Sequence, residues 1–217
     1  MPEPRGLSPA QARRKRAFDL VVGGAVLVVT SPAMALGVLA ATVSTREWGV
    51  FSQERIGRDG RPFHVHKVRS MRRVEGVTTT VTAGSDPRIT RVGAWLRRLK
   101  IDELPQLVNV VRGEMSLVGP RPDVAGWADA LQGADRVVLT VRPGITGPAS
   151  VHFRHEEDLL AAVEDPERYN REVIWPEKVR LNRRYIETWS LRQDLRWIVA
   201  TVSSVLDRDA DAGGRAD

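Results

Sequence analysis

The feature that most limits how this chain can fold is a long apolar segment near its beginning. Residues 17–43 are apolar apart from Asp19, Thr30, Ser31 and Thr42, and a run of four basic residues directly precedes them. A straight helix over residues 20–43 would be about 36 Å long. That length exceeds the roughly 30 Å hydrocarbon core of a bilayer, and flanking Lys and Arg side chains hold the end of such a segment in the cytoplasm. The segment therefore predicts a membrane-associated helix.

Three structures are compatible with this segment. One is a cleaved signal peptide, although the apolar run is long for that role. A second is a single membrane-spanning helix, since the length suffices. The third is a re-entrant helix that bends at Ser31-Pro32, because proline removes a helix hydrogen bond and leaves two arms of about 11 residues, each too short to cross alone. Ser31 could then hydrogen-bond the freed backbone, and Arg46 favours the cytoplasmic side for the second flank as well.

The charge balance limits the partners of the chain. Its 217 residues carry 33 Lys and Arg against 27 Asp and Glu, which gives a net charge of +6. Such a surface attracts anions, so nucleic acid, anionic lipid and phosphorylated substrates are the candidate classes of partner. Because the chain has no cysteine, disulfides and thiolate metal sites are excluded. The length suits one domain with a hydrophobic core of its own.

Two adjacent carboxylates, Asp102 and Glu103, open a predicted amphipathic helix. The apolar residues after them recur at the i, i+3, i+4, i+7 spacing of one helix face, and Gly113 is suited to ending the helix. We expect Asp102 to cap this helix, and we expect the positive end of the helix dipole to keep both acids ionised. An acid pair in this position is most often only a cap. The apolar positions are Leu104, Leu107, Val108 and Val111.

The basic residues around the acid pair favour a binding site over a simple cap. Arg97, Arg98 and Lys100 come shortly before the pair. Arg121 follows the helix between two prolines, which restrict the backbone on both sides of it. A fixed guanidinium near two ionised carboxylates indicates a site for a metal-bound phosphate.

The rest of the chain predicts an α+β fold that is mostly helical, with a small β-hairpin. Residues 50–68 are expected to form the hairpin, with its turn at Arg58-Asp59-Gly60. Residues 72–85 are expected to form a loop. A helix beginning at Asp86 carries a basic face with Trp95, a pattern that fits either an amphipathic helix on a membrane surface or a solvated face over an ordinary core.

The histidines offer a rival metal site. His64 and His66 lie on one face of the predicted strand, and His152 and His155 could share a helix face. A zinc site built from them would lack a carboxylate partner at a recognisable spacing. Histidines at the surface or in packing are therefore the preferred interpretation.

Several short segments of this chain occur together, and in this order, in one protein family. On the basis of these segments, the chain resembles the bacterial sugar transferase family, whose members are small monotopic polyprenyl-phosphate phosphoglycosyl transferases. The resemblance covers most of the chain, to about Ser190. The segments are Lys15-Arg16-Ala17-Phe18-Asp19 with Ser31-Pro32, Gln53-Glu54-Arg55-Ile56-Gly57, Lys67-Val68-Arg69-Ser70-Met71, Asp86-Pro87-Arg88-Ile89-Thr90, Asp102-Glu103-Leu104-Pro105-Gln106, Ser116-Leu117-Val118-Gly119-Pro120-Arg121-Pro122 and Arg142-Pro143-Gly144-Ile145-Thr146-Gly147.

The resemblance implies a domain order. Residues 1–16 would be a basic N-terminal tail and residues 17–46 a re-entrant membrane helix hinged at Ser31-Pro32. Residues 47–206 would form a cytoplasmic catalytic domain, and residues 207–217 a disordered tail. The enzyme would therefore sit on the cytoplasmic face of the bacterial inner membrane, where a soluble donor meets a lipid-borne acceptor.

The resemblance also implies a reaction. A sugar-1-phosphate would pass from a UDP-sugar to polyprenyl (undecaprenyl) phosphate, which releases UMP and starts exopolysaccharide or glycoconjugate synthesis. Asp102 would be the nucleophile that forms a covalent phosphosugar, and Glu103 would either bind metal or handle a proton on the acceptor. Asp102 and Glu103 would hold Mg²⁺, the expected cofactor. Phosphate and nucleotide contacts would fall to Lys67, Arg69, Arg97 and Arg121.

Two rival functions remain open at this stage. A basic, membrane-tethered binding protein for anionic lipid or nucleic acid would explain the charge and the apolar segment. It would not explain the acid pair, because carboxylates weaken the binding of polyanions, and we expect no nucleic-acid partner. A membrane-bound hydrolase of nucleotide-diphosphate sugars would release UMP without any lipid acceptor. Association into a homo-oligomer is left open.

Overall fold

The computed structural model describes residues 6–72 and 86–213, which form a mostly helical body with two small sheets. The predicted α+β class is confirmed. The helices are α1 Pro9–Thr45, α2 Arg91–Arg98, α3 Gln106–Arg112, α4 Pro148–His152, α5 Glu156–Ala161, α6 Pro166–Tyr169, α7 Trp175–Glu187 and α8 Leu191–Gly213. The strands are β1 Val50–Ile56, β2 Pro62–Val68, β3 Ser116–Val118 and β4 Gly144–Thr146. Short turns of 3-10 helix cover Arg58–Gly60, Ile101–Glu103 and Gly133–Thr140, and a π-helical turn covers Asn170–Ile174.

The first helix begins well before the apolar segment. Ser8 caps α1: its Oγ accepts a hydrogen bond from the Gln11 backbone at 3.3 Å, and Gln11 Oε1 accepts one from the Ser8 backbone at 2.8 Å. This capping box and a proline at the first helical position start the helix at Pro9. The helix therefore includes residues 9–16 of the predicted basic tail, and residues 1–5 lie outside the described part of the chain.

The apolar segment runs through Pro32 as part of the same helix, so the proline does not divide α1 into two helices. Proline has no N–H to offer the carbonyl four residues earlier, which here belongs to Val28. Ser31 Oγ donates to that carbonyl oxygen at 2.8 Å, which confirms the predicted hydrogen bond to the freed backbone. α1 is long and apolar enough to cross a membrane. The return of the helix to one side of the membrane stays a prediction.

Both arms of α1 place buried residues against the body, whereas its middle is largely exposed. The buried residues recur every four positions in two groups, one near each end, and no residue in the range 24–36 is buried. In the C-terminal arm Ala41 packs with Val68 of β2 and Leu96 of α2. The N-terminal arm contacts α3, β3 and α8. The buried positions are Lys15, Asp19 and Gly23 in the first group, and Gly37, Ala41 and Thr45 in the second.

The N-terminal arm is fixed by a buried ion pair. Lys15 Nζ lies 2.7 Å from Asp194 Oδ2 of α8, and the two side chains are 6% and 0% exposed. Asp194 Oδ1 also accepts a hydrogen bond from the Tyr185 hydroxyl at 2.6 Å, and Trp189 Nε1 donates to the same carboxylate at 3.2 Å. Three donors therefore converge on one buried carboxylate and join α1 to α7 and α8.

The strands bring the site segments together. β1 and β2 form the predicted antiparallel hairpin, with Val50 opposite Val68 and a turn in which Asp59 and Gly60 have positive φ. β3 and β4 pair in parallel, with Ser116 opposite Gly144 and Val118 opposite Thr146. The backbone N–H of Gly144 donates to the Pro120 carbonyl at 2.8 Å, which extends this pairing. The proline-rich segment after β3 is thereby held on the body.

Two predicted boundaries move. The helix expected to begin at Asp86 begins at Arg91, because Thr90 caps it and Asp86 instead pairs with Arg88 at 2.6 Å in a preceding turn. The disordered tail expected from residue 207 is wrong as far as Gly213, where α8 ends. Residues 214–217, and the predicted loop apart from Arg72, lie outside the described residues.

Candidate active site

The two acids occupy a 3-10 turn, Ile101–Glu103, between α2 and α3. Lys100 enters this turn in the left-handed conformation, with φ at 57°. Asp102 was predicted to cap the following helix, and this is wrong, because α3 begins only at Gln106 and Pro105 occupies its N-cap. The predicted end of the helix at Gly113 is confirmed by its left-handed conformation at φ 87°. Asp102 is therefore released from a capping role.

Asp102 is buried and lacks a complete set of partners. The residue is 9% exposed, and its Oδ1 atom finds no hydrogen-bond donor among the described residues. Burial raises the pKa of Asp102 to about 6, and the charge of Glu103 adds to the shift, while Lys67 opposes it. Desolvation thus raises this pKa where a helix dipole would lower it, but a pKa of about 6 still leaves Asp102 mostly ionised at pH 7. A buried carboxylate oxygen without a donor is energetically costly and is available to a ligand.

Glu103 is held by two cations. Its Oε1 accepts a hydrogen bond from Arg121 Nη2 at 2.8 Å and lies 3.8 Å from Lys100 Nζ. Burial alone would favour the neutral acid, but the charge of Arg121, followed by those of Lys100 and Lys67, lowers the pKa of Glu103. One acid of the pair is thus firmly ionised, and the other titrates closer to neutrality.

The structure brings most of the predicted basic residues to the acid pair. Lys67 on β2 acts electrostatically on both acids, and Arg97 at the end of α2 acts on Asp102. Burial, together with the charge of Arg121, lowers the pKa of Lys67 to about 8. Arg121 contacts Glu103 directly. These three cations therefore lie close to the acid pair, as the sequence predicted.

Arg69 is placed differently. Its Nε donates to the Trp48 carbonyl at 2.9 Å, and its Nη1 lies 3.2 Å from a Glu47 oxygen. The guanidinium also lies over the Phe51 ring, 5.6 Å from its centroid. These contacts tie β2 to the end of α1. The hinge residues Ser31 and Pro32 lie in the exposed middle of α1.

A cationic cavity that is partly open to solvent lies beside the acids. We call it the phosphate cavity; its lining includes Arg55, Lys67, Arg121, Gln53, Gln106 and Phe51. The sequence reasoning did not single out Arg55 or Gln106, although both stand inside the motifs that carried the resemblance. Gln106 is 2% exposed and its Nε2 has no acceptor among the described residues. An unpaired amide donor among three cations suits an anionic ligand.

The acid pair can be tested for the expected metal. No cluster of three or more His, Asp or Glu side chains that could hold an ion occurs among the described residues, which also gives the rival histidine zinc site no support. Mg²⁺ needs no such cluster, because it is usually bound by one or two carboxylates together with substrate phosphates and water. The free Oδ1 of Asp102, next to the carboxylate of Glu103, fits this donor set.

Comparison with known proteins assigns this chain to a family. The family described as "Bacterial sugar transferase" matches residues 10–208. A UDP-glucose:undecaprenyl-phosphate glucose-1-phosphate transferase of Escherichia coli (strain K12) is 38% identical over 90% of this chain and 41% of its own. One of the same name from Caulobacter vibrioides is 36% identical over 90% of this chain and 71% of its own. Exopolysaccharide production protein ExoY of Rhizobium meliloti is 32% identical over 94% of this chain and 91% of its own.

The extent of these matches differs between relatives. The chain spans about two fifths of the length of the first relatives, 38% and 41%, and nearly all of ExoY, so it corresponds to the part that they share. The match covers α1, the acid pair, the segment after β3 and most of α8. On this basis the chain belongs to the bacterial sugar transferase family.

Proposed function

We propose that this protein transfers a sugar-1-phosphate from a UDP-sugar to polyprenyl phosphate, giving a polyprenyl-diphosphate sugar and UMP at the start of exopolysaccharide or glycoconjugate synthesis. The observation that carries the proposal is the buried Asp102, whose Oδ1 has no donor among the described residues, beside Glu103 and the cations Lys67 and Arg121. A nucleophilic oxygen flanked by groups that bind phosphate is what the reaction requires. The names of the relatives point to the same donor and acceptor.

The first half-reaction forms a covalent phosphosugar. A carboxylate oxygen of Asp102 attacks the phosphorus that carries the sugar and forms a new P–O bond. The bond from that phosphorus to the oxygen bridging the diphosphate breaks, and UMP leaves with the electron pair. Lys67 and Arg121 bind the phosphate oxygens and offset their charge, so that one anion can approach another.

The second half-reaction restores the carboxylate. A phosphate oxygen of the lipid acceptor attacks the same phosphorus, and the bond to Asp102 breaks. Two moderate steps thus replace a single displacement between two anionic phosphates. Glu103 stays ionised next to Arg121 and holds that guanidinium in place. When bound by Asp102 and Glu103, Mg²⁺ would neutralise diphosphate charge.

The packing of α1 supports an enzyme on one membrane face. A straight helix from Lys15 to Thr45 is about 45 Å long, so a spanning helix would place those ends on opposite sides of a core of roughly 30 Å. One body cannot easily contact both ends across a bilayer, yet Lys15 bonds to α8 and Ala41 packs with β2 and α2. The largely exposed middle, residues 24–36, is then the part that enters the lipid, from the cytoplasmic side of the inner membrane.

Labelling of single cysteines tests this topology cleanly, because the natural chain has none. Ala10→Cys and Trp48→Cys place exposed thiols at either end of α1, and Asp59→Cys marks the hairpin of the body. In spheroplasts, an impermeant maleimide should leave all three unlabelled until the inner membrane is opened. Labelling of Ala10→Cys and Trp48→Cys from opposite sides would instead establish a spanning helix.

The pH profile of the reaction should report Asp102. A nucleophile whose pKa is raised to about 6 is protonated and inactive below that pH and becomes ionised above it. We expect kcat/KM for the donor to rise tenfold per pH unit below about pH 6 and to level between about pH 6 and pH 8, above which Lys67 loses its proton. Lys100 lowers the pKa of Asp102, so Lys100→Gln should move this limb to higher pH. An acidic limb near pH 4 that Lys100→Gln does not shift would contradict the assignment of this limb to Asp102.

The deciding experiment is release of UMP from a panel of UDP-sugars by detergent-solubilised protein. Release that depends on both Mg²⁺ and undecaprenyl phosphate, with the sugar appearing on the lipid, supports the transferase. Sustained release without lipid would instead identify a hydrolase. Binding of anionic lipid with no release from any donor would favour the tethered binding protein and refute the proposal.

A further inference from the structure

A second cavity, partly open to solvent, shares Arg121 with the phosphate cavity. We call it the aliphatic cavity, because most of its wall is made of aliphatic side chains. Among the residues that line it, the single acid is Asp123, two positions after Arg121. Its aliphatic wall includes Ile56, Ala128, Val138, Leu139 and Val141. The two cavities differ sharply in chemistry although they meet at one arginine.

The backbone of Asp123 is held by a hydrogen bond, whereas its carboxylate has no hydrogen-bond partner among the described residues. The Asp123 carbonyl accepts a hydrogen bond from the Ile56 backbone at 2.9 Å, which anchors it to the end of β1. Its carboxylate makes no hydrogen bond or ion pair within residues 6–72 and 86–213. Burial raises the pKa of Asp123 to about 6, although the charges of Lys178 and Arg55 oppose the shift. At neutral pH the group is therefore a hydrogen-bond acceptor with unused capacity.

The position of Arg121 ties both cavities to the reacting centre. Its Nη2 bonds to Glu103, the immediate neighbour of Asp102, and its side chain lines each cavity. A diphosphate held at Arg121 carries one substituent on each side, a nucleoside and a sugar. Two cavities that join at a phosphate-binding arginine match a donor of that form, with one substituent in each.

The lining chemistry assigns the substituents. The phosphate cavity offers an aromatic ring at Phe51 and amide groups at Gln53 and Gln106, which suit a pyrimidine base with its carbonyl and N–H edges. The aliphatic cavity offers a carboxylate, which repels carbonyl oxygens but accepts hydrogen bonds from hydroxyls, and an apolar wall that suits the C–H face of a sugar ring. We infer that the aliphatic cavity holds the hexose of the donor and that the Asp123 carboxylate accepts hydrogen bonds from its hydroxyls.

This inference rests on the proposed function and makes Asp123 a residue that determines donor specificity. Among donors that the wild-type enzyme uses, selectivity should depend on the hydroxyl that Asp123 contacts. A charged hydrogen bond of this kind changes kcat/KM by roughly 10- to 100-fold. Binding of the nucleotide part of the donor, measured as product inhibition by UMP, should not depend on Asp123.

The test uses the detergent-solubilised full chain with its best UDP-hexose and a series of monodeoxy analogues of that donor. For the wild type, one analogue should lose roughly 10- to 100-fold in kcat/KM. In Asp123→Ala and Asp123→Asn, kcat/KM for the same analogue should be less than about threefold below that for the parent donor in the same variant. Because each ratio is taken within one variant, partial loss of folded protein does not affect it. Asp59→Asn, on the exposed hairpin turn, should keep the wild-type pattern.

Inhibition by UMP separates the hexose from the nucleoside. UMP contains the base and ribose but no hexose, so its inhibition constant should stay within about twofold in the Asp123 variants if the inference holds. Weakening of UMP inhibition as large as the loss for the donor would place the nucleoside in this cavity and overturn the inference. An unchanged pattern of deoxy analogues in Asp123→Ala would also overturn it. Absence of turnover with every donor in the wild type would refute the proposed function instead.

Discussion

Replacing Asp102 with asparagine should abolish phosphosugar transfer, with kcat/KM lowered by about a thousandfold or more. The change keeps the size of the side chain and removes the anionic oxygen that attacks phosphorus. It also removes the covalent adduct. Incubation of the purified wild type with donor labelled in its sugar phosphate, without acceptor lipid, should leave label on the polypeptide, whereas Asp102→Asn should carry none.

Two further variants make this result specific. Asp59→Asn removes an exposed carboxylate from the hairpin turn and should leave both transfer and adduct unchanged. Glu103→Gln should impair transfer severely, because Arg121 loses its ionic partner, yet a reduced adduct should still form on Asp102. Transfer by Asp102→Asn at the wild-type rate would remove this residue from the mechanism. Label on Glu103 in place of Asp102 would reverse the two roles.

Replacing Asp194 with alanine should cost about 3–5 kcal/mol of unfolding free energy, the usual penalty for leaving one member of a buried ion pair unpaired. Lys15 would remain buried as an uncompensated ammonium, and the Tyr185 hydroxyl and Trp189 N–H would lose their acceptor. The loss should appear as a large drop in thermal midpoint in detergent, and the N-terminal arm of α1 should become accessible to protease.

A pair of comparisons separates this effect from general fragility. Glu172→Gln breaks an ion pair whose side chains are 71% and 57% exposed, and it should cost less than about 1 kcal/mol. The double variant Lys15→Met with Asp194→Leu removes both charges and should recover much of the lost stability. If Asp194→Ala has the same thermal midpoint as the wild type, the ion pair contributes little and apolar packing alone holds α1.

Features decided by neighbours in the sequence were largely predictable. The apolar length of α1, the turn at Asp59 and Gly60 and the stop at Gly113 follow from local propensity, because each depends on a few consecutive residues. The start of α1 was also readable, since Ser8 and Gln11 have the spacing of a capping box.

The sequence by itself determined the long apolar helix, the small hairpin and the basic residues close to Asp102 and Glu103 in the chain, since each arises within a short stretch. Only the tertiary structure decided that Asp102 is buried with an unpaired oxygen, that Arg121 rather than the helix dipole fixes the charge of Glu103, and that Arg69 lies elsewhere. Desolvation and ion pairing depend on atoms contributed by segments far apart in the chain. Neither quantity exists until those segments meet.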